Sequence, residues 1–530
     1  MPGKANGTVG STVNGKVEEN TENTPRKLTQ DDFPDAKYGR NRIQTLEPEY
    51  EVLLKQFWTH YLKYLGYDVD IPDKDVVDKK SYVVSASVQR KFPNEKVTEA
   101  TKSSSFWGGH STATPIDDNI SKLTERAGKL KLSTNYVNVT YPETYFFNYL
   151  VNYDSVSDLS ASYKDEGDEV DRVNVIIKEL KSLAGLEKHP SLVIEPNLKS
   201  HHSFGICDPK VTHNTFLVSA RNDPIDNYFL KLLRARKGNI DKTLDLFAGD
   251  VNWRSEIKLT DLVLGGDAQY YLTGTGDGII RNLNCEKCWI KGTDKEGNLL
   301  FLFKANRHLT NEAPQDEMRR WTLLKIEWTR LILRETSTGK DTVTILFDLS
   351  GFGLKNADYS TMKFIAEFFE AHQPECLAHV LIYKAPWIFS AFWNIVKGWL
   401  DPDVAAKISF VKNEQELLKF VDKKDVPSCM GGDNSYNGEY IYPDRNIDAA
   451  PPLKKDERYF DLVKERHLLQ LRLFERTKRW IEAADPEVSS LYWQDKVDTN
   501  IQLAQNYIML DPYIRRRGMY DRNGFLKLQL

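Results

Sequence analysis

The chain reads as an α/β protein in which a small N-terminal helical domain precedes a lobe built on a largely parallel sheet. Three observations predict this. From residue 299 to 421, short apolar runs alternate with segments of helical period. The runs are nearly unbroken and rich in β-branched residues, the mark of strands covered on both faces by helices. Both flanks carry the 3.6-residue period of amphipathic helices instead.

The elements follow in order. Residues 1–45 are polar, rich in Gly, Asn, Thr and Glu, and read as a disordered tail. An N-terminal helical region, 46–200, opens with LEPEYEVLLKQFWTHYLKYLG. Its apolar residues at 46, 50, 53, 54, 57, 58, 61, 62 and 65 keep a helical period, and Gly66 supplies a stop. Residues 68–140 lose the period and include TKSSSFWGGHSTAT, a Ser/Thr/Gly-rich insertion. A Tyr/Phe-rich stretch around YPETYFFNYL and a helix near 168–184 follow. A second helical segment, 205–284, holds YFLKLLRARK, and Asn239 caps a helix with apolar residues at 240, 244, 247 and 251.

The α/β lobe spans 285–442. LLFLF (299–303), TVTILFDL (342–349), AHVLIYK (378–384) and KISFV (407–411) read as strands. Between them lie helices at 316–334, with 318, 321, 324, 328 and 331 inward, at 358–371, and at the stretch starting APWIFSAFW; a helix at 414–421 follows. A C-terminal helical extension, 443–530, has a long charged helix bracketed by Pro451-Pro452 and Asp485-Pro486. Leu468, Leu471, Phe474, Trp480 and Ile481 stand at helical spacings along it, and another helix covers 488–509.

Composition narrows the function. The 530 residues are 40% hydrophobic and 28% charged with a net charge of −4. That suits a soluble protein and provides no global attraction to nucleic acid. The N-terminus lacks the apolar core of a signal peptide, and no run of 18 apolar residues occurs, so the expected setting is the cytosol or the cytosolic face of a membrane. Five cysteines (207, 285, 288, 376, 429) fit a reducing compartment. Cys285 and Cys288 form a CxxC without a second pair, which reads as two ordinary thiols and no metal site. The chain has no GxSxG and no GxxxxGK[ST]. GTGDG (274–278) reads as a turn, and Asp348 as the carboxylate that caps the turn SGFG. These readings point away from an enzyme.

The most unusual stretch is IYKAPWIFSAFWNIVKGWL (382–400), with six aromatics and three of the chain's eleven tryptophans. As one helix from Ile388 it has two apolar stripes. Ile388, Phe392, Ile395 and Trp399 form one, read as facing outward; Phe389, Trp393, Val396 and Leu400 form the other. Only Ser390, Asn394 and Lys397 make a polar edge. By periodicity it is a buried core helix. A helix apolar on both sides can also cover an apolar cavity while its other face touches a membrane.

The motifs LLRARKGNI, TVTILFDLSGFG, QPECLAHVLIYKAPWIFSAFW and WLDPDVAAKISFV together resemble the CRAL-TRIO family of lipid carriers. The matching region is about 227–442, ending in VPSCMGG, and QFWTH (56–60) and LDPYIRRRGMYDRNG extend the similarity outside it. The resemblance implies a helical domain before an α/β lobe that holds one lipid in an apolar pocket under a mobile gate helix, with 388–400 as the gate. Hiding roughly thirty methylenes of two acyl chains, at about 0.8 kcal/mol each, is worth on the order of 25 kcal/mol gross. Ile345, Phe347, Leu381, Phe389, Phe392, Trp393, Val396 and Trp399 are the pocket and gate candidates. The family's headgroup residues correspond to Arg236 in LRARK, Glu375 in QPE, where Gln373 replaces a Tyr, and Lys407 in LDPDVAAKI. The family's Thr position is Val404.

The resemblance thus implies a phosphatidylinositol carrier without a cofactor, meeting membranes transiently from the cytosol at the endoplasmic reticulum, endosomes or lipid droplets. Val343 and Ile345 stand where choline-lipid binders carry hydroxyls. Two other readings stay open. One is a carrier of a neutral lipid such as a sterol or isoprenoid; the other is a lipid-sensing scaffold whose C-terminal helices recruit a protein partner.

Overall fold

The computed structural model describes residues 26–65, 69, 82–92, 201–206 and 209–530. The TKSSSFWGGHSTAT loop, the YPETYFFNYL stretch, the helix expected near 168–184 and Cys207 lie outside these residues.

Five strands form one sheet in the order β1 to β5: β1 (Cys288–Thr293), β2 (Leu299–Lys304), β3 (Val343–Asp348), β4 (Leu377–Tyr383) and β5 (Ile408–Val411). β2 through β5 run parallel, and β1 is an antiparallel edge strand paired to β2. The edge strand is absent from the sequence reading because CWIKGT alternates too briefly to declare itself. Its outer edge is closed from elsewhere: the Tyr520 hydroxyl accepts from Ile290 N at 3.1 Å, and Lys325 Nζ donates to the Cys288 carbonyl at 3.0 Å. An open edge is thereby satisfied.

Register settles the two faces. Phe301, Ile345 and Val380 lie side by side, as do Phe303, Phe347 and Ile382, and the row between them is Leu302, Leu346 and Leu381. Successive strand residues point to opposite faces. Leu302, Leu346 and Leu381 therefore join Trp289, Leu300 and Tyr383 in a core on the far face, closed by Leu417, Val421 and Met430. Leu381 thus belongs to that core and not to the pocket for which it was a candidate.

The principal helices are α1 (Pro48–Tyr64), α2 (Ile225–Ala235), α3 (Ile240–Glu256), α4 (Leu259–Thr273), α5 (Gln315–Ile332), α6 (Tyr359–His372), α7 (Phe389–Val396), α8 (Glu457–Glu482) and α9 (Pro486–Ile514). Their starts follow local chemistry. Asn239 accepts from Lys242 N at 2.9 Å to cap α3, and Asp358 accepts from Thr361 N at 2.9 Å to cap α6.

Two expected boundaries dissolve. α8 and α9 are not an appendage: Phe474, Trp480, Trp493 and Ile501 share one core with Phe57, Trp58, Phe229 and Phe247 of α1, α2 and α3. Trp58 and Phe474 meet edge to face at 5.7 Å. Inside this core Asp226 on α2 takes the Trp58 indole at 2.6 Å, the Asn500 amide at 2.8 Å and the Lys496 ammonium of α9. A buried charge is tolerable only when paired in this way. Residues 26–45, read as part of a disordered tail, form an ordered strap. Arg42 grips Asp341 with two bonds of 3.0 Å, Ile43 N donates to Asn227 Oδ1 at 2.9 Å, and Ile43 and Leu46 enter the first core.

Candidate functional site

The face of the sheet carrying Phe301, Phe303, Val343, Ile345, Phe347, Val380 and Ile382 does not close on a core. It forms one wall of a cavity of about 360 Å³. That volume lies within the range of small-molecule sites. Phe303 and Phe347 stack on this wall with ring centroids 4.7 Å apart. The opposite wall comes from α5 and α6, through Trp321, Ile326, Met362 and Ile365 among others. On α5 the sequence pattern identified the apolar face that enters the core, including Met318, Leu324, Trp328 and Leu331. It missed the adjacent face, where Thr322, Lys325, Thr329 and Arg330 reach the cavity, because a mixed polar stripe looks solvent-exposed in one dimension.

α7 covers the cavity. Phe389, Phe392 and Val396 are buried, and Phe389, Phe392, Trp393, Val396 and Trp399 all line it. Phe352 holds Phe389 edge to face at 5.5 Å, and Tyr359 at the start of α6 lies 4.8 Å from Phe392. The sequence reading assigned Phe392 and Trp399 to an outward stripe, and the structure corrects both. Positions 389, 392, 393 and 396 form one i, i+3, i+4, i+7 face. After Val396 the chain tightens into a 3₁₀ turn, Lys397–Trp399. Three residues per turn place Trp399 above Val396, facing the cavity. The outward apolar residues are Ile395, 49% exposed, and Trp387, 86% exposed before the helix begins. Leu354 beyond Phe352 is 70% exposed, and Phe410, 50% exposed, meets Trp393 at 5.6 Å.

Several charged residues of the cavity lining, among them Glu375, Lys237 and Asp403, are exposed to solvent. Arg236, the C-cap of α2, and Glu375 and Lys407 all line this one cavity. Arg236 and Glu375 are not paired with each other, and Glu375 lies within electrostatic range of the Arg42 and Arg234 guanidiniums. Lys407 Nζ donates to the Leu377 carbonyl at 2.7 Å. Glu375 has a left-handed backbone, φ 58°, which costs energy for a residue other than glycine. Gln373 and Val404 line the same cavity, and Gln373 Nε2 is buried without a partner. Lys237 and Asp403, both exposed, pair at 3.4 Å.

Further along, His308 Nε2 lies 3.2 Å from Asp358 Oδ2 and its Nδ1 lies 2.9 Å from Glu312, with Lys287 beside them. Burial alone would lower the pKa of His308, but its bonds to Asp358 and Glu312 carry it above the ordinary value. Burial opposes ionisation of Asp358, yet the His308 and Thr361 bonds bring it down to about 2. Burial pushes the Cys288 thiol in the cavity wall up to about 12, out of the range of a reactive thiolate. Asp348 caps its turn, accepting from Ser350 N at 2.9 Å.

A mostly parallel sheet under helices, with a predominantly apolar cavity that has charged groups in its lining and an aromatic cover, defines a protein that holds an amphipathic ligand. The CRAL/TRIO domain family matches residues 283–432. Phosphatidylinositol transfer protein CSR1 of Eremothecium gossypii is 33% identical over 92% of this chain and 98% of its own. CRAL-TRIO domain-containing protein C3H8.02 of Schizosaccharomyces pombe is 32% identical over 61% of this chain and 70% of its own. Phosphatidylinositol/phosphatidylcholine transfer protein SFH12 of Arabidopsis thaliana is 25% identical over 39% of this chain and 40% of its own. The chain belongs to the CRAL-TRIO family. Among the described residues, no helix is long and apolar enough to cross a membrane.

Proposed function

We propose that this protein is a non-enzymatic carrier that moves or presents phosphatidylinositol between cytosol-facing membranes, such as those of the endoplasmic reticulum, endosomes or lipid droplets. The observation that carries this reading is the cavity itself: predominantly apolar, covered by α7, and lined in part by Arg236, Glu375 and Lys407. Acyl chains fit the apolar walls. Two cations neutralise a phosphate through charge-assisted bonds, and a carboxylate accepts from inositol hydroxyls. The relative from Eremothecium gossypii bears the name of a phosphatidylinositol transfer protein and spans nearly the whole chain. Membrane contact is supported by Trp387, Ile395, Leu354 and Phe410, exposed apolar groups on and around the cover.

Val343 and Ile345 on the cavity wall offer a choline zwitterion no hydroxyl from this strand, which leaves its polar groups fewer partners. Vesicle assays with labelled lipids should therefore show phosphatidylinositol transfer well above phosphatidylcholine transfer; equal rates would refute the assignment. A second reading, a neutral-lipid carrier, is favoured by Val404 standing where the family places a hydroxyl. Mass spectrometry of lipid extracted from the purified protein separates the two. The scaffold reading is weakened, because Phe474, Trp480, Trp493 and Ile501 of α8 and α9 are taken up by the core.

A further inference from the structure

One charged arm of the cavity lining is held from outside the α/β lobe. α6 ends at His372, and the chain then passes through Gln373, Pro374 and Glu375 along the cavity wall to β4. His372 is gripped by α3 of the helical domain in three ways. Its Nδ1 lies 2.8 Å from Asp250 Oδ1, its ring stacks on Trp253 at 3.7 Å, and its carbonyl accepts from Arg254 Nη2 at 3.2 Å. Asp250 is itself fixed, accepting from the Tyr228 hydroxyl and from Arg254 Nε at 2.8 Å. The far end of the arm is tied as well: Val343 N donates to the Cys376 carbonyl at 2.8 Å, and Lys407 to that of Leu377. Between these anchors stand the left-handed Glu375 and the unpartnered Gln373 amide.

We infer that His372 is a positioning residue, through which the clamp of Asp250, Trp253 and Arg254 lets the helical domain set where Gln373 and Glu375 meet the polar end of the ligand. The inference rests on the headgroup reading of Arg236, Glu375 and Lys407, and it adds Gln373 as a donor to a phosphate or ester oxygen. A buried donor without a partner is costly, and a ligand oxygen removes that cost. An arm pinned at both ends has few conformations to lose, so its polar groups are ordered before the ligand arrives. A clamp that merely joined two domains would need neither the orphaned Gln373 amide nor the left-handed backbone at Glu375 that follow it.

The test uses the full chain with three variants. His372→Ala removes the clamp, His372→Phe keeps an aromatic face on Trp253 but loses the Asp250 contact, and Glu375→Ala removes the headgroup carboxylate. Each is assayed for transfer of labelled phosphatidylinositol between vesicles, for binding of a fluorescent cholesterol analogue as an apolar probe, and for thermal unfolding. The expected result is a loss of phosphatidylinositol transfer of about tenfold, ~1.4 kcal/mol, in every variant, with the probe bound as by wild type. Combining His372→Phe with Glu375→Ala should add little further loss. If His372→Phe transfers at the wild-type rate while Glu375→Ala does not, the positioning role is wrong and the headgroup site stands. If neither matters, the headgroup reading has failed and takes the positioning role with it. If the His372 variants lose probe and phosphatidylinositol in equal proportion, the clamp is structural and the inference is overturned.

Discussion

Lys407 spends one of its three donors on the Leu377 carbonyl, which leaves two, while the donors of Arg236 and the acceptor oxygens of Glu375 line the same cavity. Removing one charge-assisted bond from such a site costs ~1.5–3 kcal/mol, roughly a tenfold to hundredfold loss of affinity. Glu375→Ala/Lys407→Ala should fold normally and lose phosphatidylinositol transfer while retaining any neutral lipid. Transfer assays, melting curves and lipid extracts from one preparation check this; wild-type transfer would move the balance to the neutral-lipid reading. The His308 and Asp358 pair predicts a pH dependence of stability. Asp358 is held below its ordinary 3.8, so its contribution is complete above that pH and is lost as pH falls towards 2. His308 is raised above its ordinary 6.5, so its contribution is complete below that pH and is lost as pH rises through the higher folded value. The part of the stability that this pair supplies, read as the difference between wild type and Asp358→Asn in melts from pH 2 to 9, should therefore be greatest between about 4 and 6.5. Asp358→Asn should flatten the acid-side fall.

At the scale of the element, α7 combines two tasks on one short helix. Its inner face completes the cavity, and its outer face is small but apolar where Ile395 and the preceding Trp387 protrude. Neither side chain belongs to a buried core cluster, so stability should stay within about 1 kcal/mol of wild type. Trp387→Glu and Ile395→Glu should nevertheless slow lipid exchange with vesicles several-fold by opposing insertion at the membrane surface. Unchanged rates beside an intact thermal transition would remove α7 from the exchange step. Trp399→Glu, attractive from the sequence, is a poor substitute because Trp399 faces the cavity and the variant would confound lipid binding with membrane contact.

Across the whole molecule, the helical domain is a product of chain segments hundreds of residues apart. Removing 452–530 to test a scaffold role would strip Phe474, Trp480, Trp493 and Ile501 from the core shared with α1, α2 and α3. The strap ties this domain to the α/β lobe through Arg42 and Asp341, both buried. Deleting one partner of a buried ion pair strands the other charge at a cost of ~3–5 kcal/mol. Asp341 keeps Lys231 at 3.4 Å, so Arg42→Ala should lower stability to chemical denaturation by less than that, ~1–3 kcal/mol. A loss below ~1 kcal/mol, the range of an exposed pair, would show that the strap is not fastened there.

The sequence by itself determined four of the five strands, the helices between them and the aromatic cover, because apolar runs and helical periods are local properties. It also nominated Arg236, Glu375 and Lys407 as headgroup candidates, since each lies in a motif long enough to be matched, and all three line the cavity. Tertiary structure alone decided which face those elements show. The alternation in β4 is the same whether Leu381 or its neighbours Val380 and Ile382 meet the cavity; only pairing with β3 and the helices above it chooses. The direction of Trp399 hangs on a change from α to 3₁₀ winding at Lys397. The strap, the shared core of α8 and α9, the Tyr520 contact that closes β1 and the clamp on His372 each join residues more than a hundred positions apart. A period shows that a face will be buried, and a motif shows that a residue is shared with a family. Neither states what the face will be buried against, because that is set by packing between distant segments.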